Sequence, residues 1–274
     1  MLSYRHAFHA GNHADVLKHA VLALLLRALA RKDKPYVCID THAGAGRYDL
    51  ADARARRTGE AVAGVAHWWA STAAPLAPWL DTVRALNPQG ALRWYPGSPL
   101  LARRLMRDGD RLLLCELHPA DHASLAAEFA GDAAVRVERA DGYTRLRAWL
   151  PPPERRGLVL IDPSYELKGE EAQVVELLVD AHRRFATGVF AIWYPILTRL
   201  VAQRFVERLA ATGVRRQLAI EYLPAAHSPE VGLKGSGMLI VNAPYRFELE
   251  LEALAGVLAE GDASRARVRR IVDE

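Results

Sequence analysis

Two cysteines in 274 residues leave no material for a disulfide framework or a cysteine-based zinc site. Both, Cys38 and Cys115, fall inside apolar runs and are expected as small core hydrophobes in a reducing compartment, the cytoplasm. No stretch approaches the ~18–20 uncharged apolar residues that span a bilayer; the longest run, Ala20–Leu26, is too short. A basic segment followed by an apolar stretch and a small-residue cleavage site is also missing, which argues against secretion. The turn Gly44-Ala45-Gly46 lacks the third glycine of a dinucleotide fingerprint, and no Walker lysine pattern occurs. The excess of one sign of charge is small too, with 36 Lys and Arg against 32 Asp and Glu. A net +4 with a pI near 9.2 is compatible with a polyanionic partner without establishing one. Arginine far outnumbers lysine, which suits phosphate forks and equally a GC-rich coding bias.

What is present, 51% hydrophobic and 25% charged residues, suffices for one large globular domain or two modest ones. Asp15 to Arg31 has helical periodicity, and Tyr36-Val37-Cys38-Ile39-Asp40-Thr41 reads as a short strand running into the GxG turn. About fifty residues rich in Ala, Arg and Trp follow, where a nucleotide-type fold would continue directly. They are expected as a small helical insertion, residues 49–94, inside a domain formed by 1–48 and 95–274. Alternation then resumes. Strands are expected at Arg111 to Glu116, Val135 to Val137, Gly157 to Ile161 and Val189 to Tyr194, with helices at Pro99 to Met106, Ala120 to Phe129, Glu170 to Phe185 and Leu200 to Ala211. Two late strands, Gln217 to Tyr222 and Gly237 to Val241, flank a Gly/Ser/Pro loop, and only the tail Arg265 to Arg270 is charge-biased. This order predicts an α/β fold with a doubly wound, mostly parallel sheet.

Residues with chemistry collect at the carboxyl ends of these strands, the edge where open α/β sheets bind ligands. Glu116 is placed to accept from ribose hydroxyls, or is a solvated strand-end carboxylate; Asp141 can accept from an adenine amino group, or simply starts the turn at Gly142. After Gly157–Ile161 comes Asp162-Pro163-Ser164-Tyr165. Hydrogen bonds accepted by the Asp162 carboxylate and the Pro163 carbonyl would localise the lone pair of a ring-conjugated amine. The proline restrains the backbone before it, and Tyr165 offers a stacking face worth ~1–3 kcal/mol per base. The tetrapeptide resembles the Asp/Asn-Pro-Pro-aromatic motif of adenine-N6 amino-methyltransferases, with Ser164 in place of the second proline. At the amino terminus Tyr4 to His13 is polar and His-rich; His9 and His13 at i,i+4 would suit a metal on a helix. Gly11-Asn12 argues against a helix there and no carboxylate or cysteine completes a ligand set, so no metal is expected. The segment reads instead as irregular chain closing over nucleic acid.

Taken together, Leu2-Ser3-Tyr4-Arg5-His6, Ala10 through His19, Asp40 through Tyr48, Tyr95-Pro96-Gly97-Ser98-Pro99, Glu116-Leu117-His118-Pro119, Ile161 through Glu166, Trp193-Tyr194-Pro195 and Lys234 through Met238 closely resemble the bacterial ribosomal RNA large-subunit methyltransferase J family. The resemblance implies a monomeric Rossmann-like class I methyltransferase that uses S-adenosylmethionine (AdoMet) to methylate N6 of one adenine in protein-free 23S rRNA. By position it implies that Lys18, His19, His42, Ser98, Glu116, Asp141, Gly142 and Asp162 line the cofactor site, that Asp162 is catalytic, and that Tyr4, Pro163 and Tyr165 serve the RNA substrate. A DNA adenine methyltransferase, a non-catalytic RNA-binding protein with the same fold, and a nicotinamide oxidoreductase share parts of these signals.

Overall fold

Asn12 ends the amino-terminal segment by capping the first helix: its side-chain oxygen accepts from the N–H groups of Ala14 and Asp15, both at 3.0 Å. The Gly11-Asn12 pair that argued against helix is thus the helix's start signal. In the computed structural model, which describes residues 5–224, 232–260 and 264–273, this helix is α1 (His13–Ala30), preceded by a 3₁₀ turn at His6–Phe8. Strand β1 (Val37–Asp40) follows, then β2 (Arg47–Asp49), α2 (Ala53–Thr58), α3 (Val65–Trp68), α4 (Ala77–Ala85), β3 (Trp94–Pro96) and α5 (Ser98–Leu105). The middle of the chain alternates: β4 (Arg111–Cys115), α6 (Pro119–Glu128), β5 (Val135–Glu138), α7 (Gly142–Trp149), β6 (Gly157–Ile161), α8 (Glu170–Arg184), β7 (Val189–Ile196) and α9 (Arg199–Ala210). The last part is β8 (Gln217–Leu223), β9 (Gly235–Val241), α10 (Phe247–Leu258) and β10 (Arg265–Val272).

Eight strands form one sheet in the order β10-β8-β9-β7-β6-β1-β4-β5. The five from β7 to β5 run parallel; β9 is antiparallel to β7 and β8, and β10 to β8. This is the doubly wound Rossmann-like arrangement. The chain builds outward from β1 through β4 and β5, then returns to the other side of β1 with β6. The crevice where a ligand enters lies at that reversal, outside the ends of β1 and β6. Side chains alternate across the pleat: Cys38 joins the hydrophobic cluster on one face of the sheet, and Val37 and Ile39 join the cluster on the other.

Helix α1 is buried along its length except at Arg27 and Ala30, the signature of a helix covered on all sides. It lies among β9, α4, α5 and α10, and so carries Asp15, Lys18 and His19 into the interior.

Residues 49–94 leave and rejoin the rest of the chain at a two-stranded ribbon, β2 with β3, in which Tyr48 pairs with Tyr95. Trp79, Leu80 and Val83 of α4 are fully buried in the same cluster as α1, so this segment packs onto the main core. The tail Arg265 to Arg270 differs from its expected role as a charged terminus: it is an edge strand, and α10 before it had no counterpart in the sequence reading. Alternation of Arg with Ala and Val, read as charge bias, is the period-two pattern of a half-exposed strand. Among the described residues no helix is long and apolar enough to cross a membrane.

Candidate active site

The carboxyl edge of the sheet opens into a cavity of about 1340 Å³. Lys18, His19, His42, Ser98, Glu116, Asp141, Gly142, Asp162, Pro163 and Tyr165 all line it, although they come from six separate stretches of chain. Tyr4 lies outside the described residues; its neighbour Arg5 binds Asp121 at 3.1 Å.

A chain of charges crosses the floor of this cavity. Asp15 accepts from the Gly11 N–H at 2.8 Å and stands 2.9 Å from His6 Nε2. Its other oxygen meets Lys18 Nζ at 3.0 Å, and Lys18 reaches on to Asp162 Oδ2 at 2.6 Å. Burial opposes the ionised form of Asp15, but His6 and Lys18 hold its carboxyl well below the usual range. Asp162 responds in the opposite direction: burial raises its pKa, with Lys18 opposing. His19 is fully enclosed, bonded through Nδ1 to the Tyr95 hydroxyl at 2.7 Å, and burial pushes it down to about 3, so its ring is neutral. Asp15 and His6 were absent from the sequence-derived set. Their signal was there: Asp15, Lys18 and His19 sit at i, i+3 and i+4, a polar patch on an otherwise apolar helix.

At the end of β1, Asp40 is buried and accepts from Ser98 Oγ at 2.7 Å and from the His42 N–H at 3.1 Å. Burial pushes it up to about 7, with the nearby Asp162 charge acting in the same direction. His42 is held neutral, at about 4, by burial; its ring meets Tyr143 edge-on at 5.1 Å. Across the crevice Glu116 takes the Gly44 N–H at 2.8 Å and the His118 N–H at 2.6 Å, which fixes the carboxylate while each oxygen keeps a free lone pair. Asp141 does not terminate β5; it lies three residues beyond and caps α7, accepting from Tyr143 N–H at 3.1 Å and Thr144 Oγ1 at 2.8 Å. Gly142 is required by contact: a Cβ there would stand 2.1 Å from the Thr41 carbonyl oxygen.

The tetrapeptide turns sharply off β6. Tyr165 takes a left-handed φ of 55°, a conformation held against strain by its hydroxyl, which donates to the Trp193 carbonyl at 2.7 Å. Its ring leans on Trp193 and Phe205, with centroids 5.7 and 5.8 Å away. Trp193 also faces the cavity, 6.0 Å from Lys18 Nζ. Ser164 Oγ lies 3.5 Å from the Glu166 N–H, at the outer limit of a hydrogen bond. The backbone angle at Tyr165 therefore rests on the Tyr165–Trp193 tie and does not call for a second proline. Neither cysteine belongs to the site; both are buried in strands, and burial pushes the Cys115 thiol up to about 12.

Residues 33–269 match the family model described as ribosomal RNA large subunit methyltransferase D, RlmJ. The chain belongs to this family. It is 49% identical over 253 residues to ribosomal RNA large subunit methyltransferase J of Escherichia coli, covering 92% of this chain and 90% of that one. The Haemophilus influenzae protein of the same name is 44% identical over 263 residues, covering 95% and 94%. Among solved structures, LPL1258 of Legionella pneumophila superposes with a TM-score of 0.88 at 34% identity, over 96% of this chain and 98% of that one. The match to the family model begins after α1, so Lys18 and His19 enter the site from outside the matched span.

Proposed function

We infer that this rRNA methyltransferase transfers a methyl group from AdoMet to N6 of one adenine in protein-free 23S rRNA, as a cytoplasmic monomer, with 49–94 as an insertion subdomain. The observation that carries this reading is Asp162, followed by Pro163, held by Lys18 at the end of β6 beside the reversal in strand order. The donor set suits AdoMet. Glu116 retains acceptor capacity for ribose hydroxyls, Asp141 stands at the amino end of α7 on the cavity wall, and Gly142 lets that turn pack against Thr41. Ser98 and the neutral His42 complete the polar wall, with Lys18 and His19 beneath. When bound, this cofactor supplies an electrophilic methyl group on a sulfonium.

The protein's own part is positioning and proton acceptance. Adenine N6 is a poor nucleophile because its lone pair is delocalised into the ring. Two acceptors, the Asp162 carboxylate and the Pro163 carbonyl, favour the tetrahedral nitrogen that can attack. Tyr165 and Trp193 supply faces for the base. Tyr4 extends this pocket in the reading. The attacking nitrogen must shed one proton, and Asp162 is placed to accept it. Its raised pKa makes it a better acceptor than an ordinary carboxylate, and Lys18 keeps it ionised beforehand.

Nuclease digestion and mass spectrometry of 23S rRNA from cells with and without the gene test the reading. One N6-methyladenine-containing fragment should lose 14 Da when the gene is absent, the mass of about one methylene. Transfer to duplex DNA in preference to rRNA would favour the DNA methyltransferase instead. The charge chain adds a pH prediction. Turnover should rise with pH as Asp162 ionises. Lys18→Met removes the cation that opposes the raised pKa, so the acidic limb of the kcat–pH profile should move to higher pH. A limb that does not move would remove Lys18 from this role.

A further inference from the structure

A second, smaller pocket of about 420 Å³ lies between α9 and β10. Its polar lining is Arg199, Gln203, Glu221, Arg265, Arg267 and Arg269, four guanidinium groups against one carboxylate. The period of two along β10 sends Arg265, Arg267 and Arg269 to one face of the sheet, while Arg270, beside the register shift, pairs with Glu248 of α10 on the other. Glu221 is 3% exposed and binds Arg267 at 2.6 Å and Arg269 at 2.9 Å, with the Tyr194 hydroxyl donating to it at 3.0 Å. Two of the four guanidinium groups are thus held in place from below. Arg199 and Arg265 are exposed, and neither has an ion-pair partner among the described residues.

The location matters as much as the charge. Strand β8 runs parallel to β7, because both are antiparallel to β9, and Arg265 pairs with Leu223 at the carboxyl end of β8. The pocket therefore opens at the same edge as the large cavity. At the end of β7 the two share a wall: Ile196 faces the arginine pocket, and Pro195 and Leu197 face the cavity. Between β6, which ends just before Asp162, and β10 there are four strand spacings, roughly 19 Å. A nucleic acid strand with one base in the cavity would cross this rim within a few nucleotides. Preset arginine forks at such a point match phosphate geometry.

We propose that the pocket between α9 and β10 is a docking site for a backbone phosphodiester of the RNA substrate, outside the cavity that takes the target base. The proposal rests on the rRNA reading above, and its test separates the two. Binding of a protein-free 23S rRNA transcript is measured across a salt series for wild type, the double variant Arg199→Ala/Arg265→Ala, and Arg270→Ala from the opposite face of the same strand. Single-turnover methylation at saturating RNA and AdoMet affinity are measured alongside. The double variant should lose about tenfold in RNA affinity and lower the slope of log K against log salt by about 1–2. AdoMet affinity and the saturated methylation rate should stay at wild-type values, and Arg270→Ala should bind as wild type does. Equal affinity and slope in all three proteins would overturn the site and leave β10's arginines as edge-strand protection alone; equal losses in the double variant and Arg270→Ala would overturn it in favour of diffuse charge. If wild type neither binds nor methylates the transcript, the rRNA reading itself fails.

Discussion

Asp162→Ala should reduce methyl transfer by about 10³-fold or more, since proton acceptance alone contributes about 10²–10⁴-fold and loss of the acceptor also misplaces the amine. AdoMet affinity should change little, because Glu116, just past β4, and Asp141, the cap of α7, belong to other segments of the chain. Lys18 keeps Asp15 as a partner at 3.0 Å, so the variant should fold. Asp162→Asn separates the two contributions. Its amide oxygen still accepts one hydrogen bond but takes no proton at neutral pH, so it should retain more activity than alanine and lose the acidic limb of the rate profile. Isothermal titration with AdoMet and single-turnover assays on rRNA check both variants. Wild-type turnover in the alanine variant would exclude Asp162 as the acceptor.

Asp15→Ala should have the largest effect on stability. It strips one carboxylate from Lys18 and removes the acceptor for both His6 and the Gly11 N–H. Breaking a buried ion pair on one side costs about 3–5 kcal/mol, corresponding to a fall in Tm on the order of 10 °C for a domain this large. The pH dependence gives a second readout. Asp15 has a folded-state pKa well below its ordinary value of 3.8, so its contribution is complete above that value and is lost as pH falls through the folded one. The gap between wild type and Asp15→Ala should therefore be widest at neutral pH and should narrow below about pH 4. Asp40 has the opposite sign. Its pKa is raised to about 7, so it stabilises least once pH has risen past that value. Thermal unfolding between about pH 2 and 8 measures both trends; a gap that stays constant through the acidic end of that range would mean Asp15 acts by packing alone.

The parallel core was legible because its strands are buried on both faces and read as continuous apolar runs, and because turn formers bound them. The carboxyl-edge residues could be named for the same reason: a strand end is visible in sequence, and Asp162-Pro163 follows one directly. Elements whose pattern depends on context were harder. Asn12 looks like a helix breaker until its side chain is seen accepting two N–H groups. Asp141, expected at a strand end, is a helix cap, since Asp before Gly suits both positions. Strand β10 reads as a basic tail because alternating arginines resemble a disordered charged terminus unless Glu221 is known to lie beneath them.

The one-dimensional pattern determined which residues bear chemistry and on which edge they lie, because strand periodicity and punctuation are local properties. Only the tertiary structure decided their pairing. Lys18 stands 144 positions from Asp162, and no local rule relates them; they meet because a helix apolar on nearly every side must be buried, and it takes its polar patch into the core with it. The same holds for the four arginines between α9 and β10, brought together by an antiparallel pairing that closes long after the catalytic strands are complete. Charges become acceptors, cations and anchors according to what burial sets beside them, and that is a property of packing.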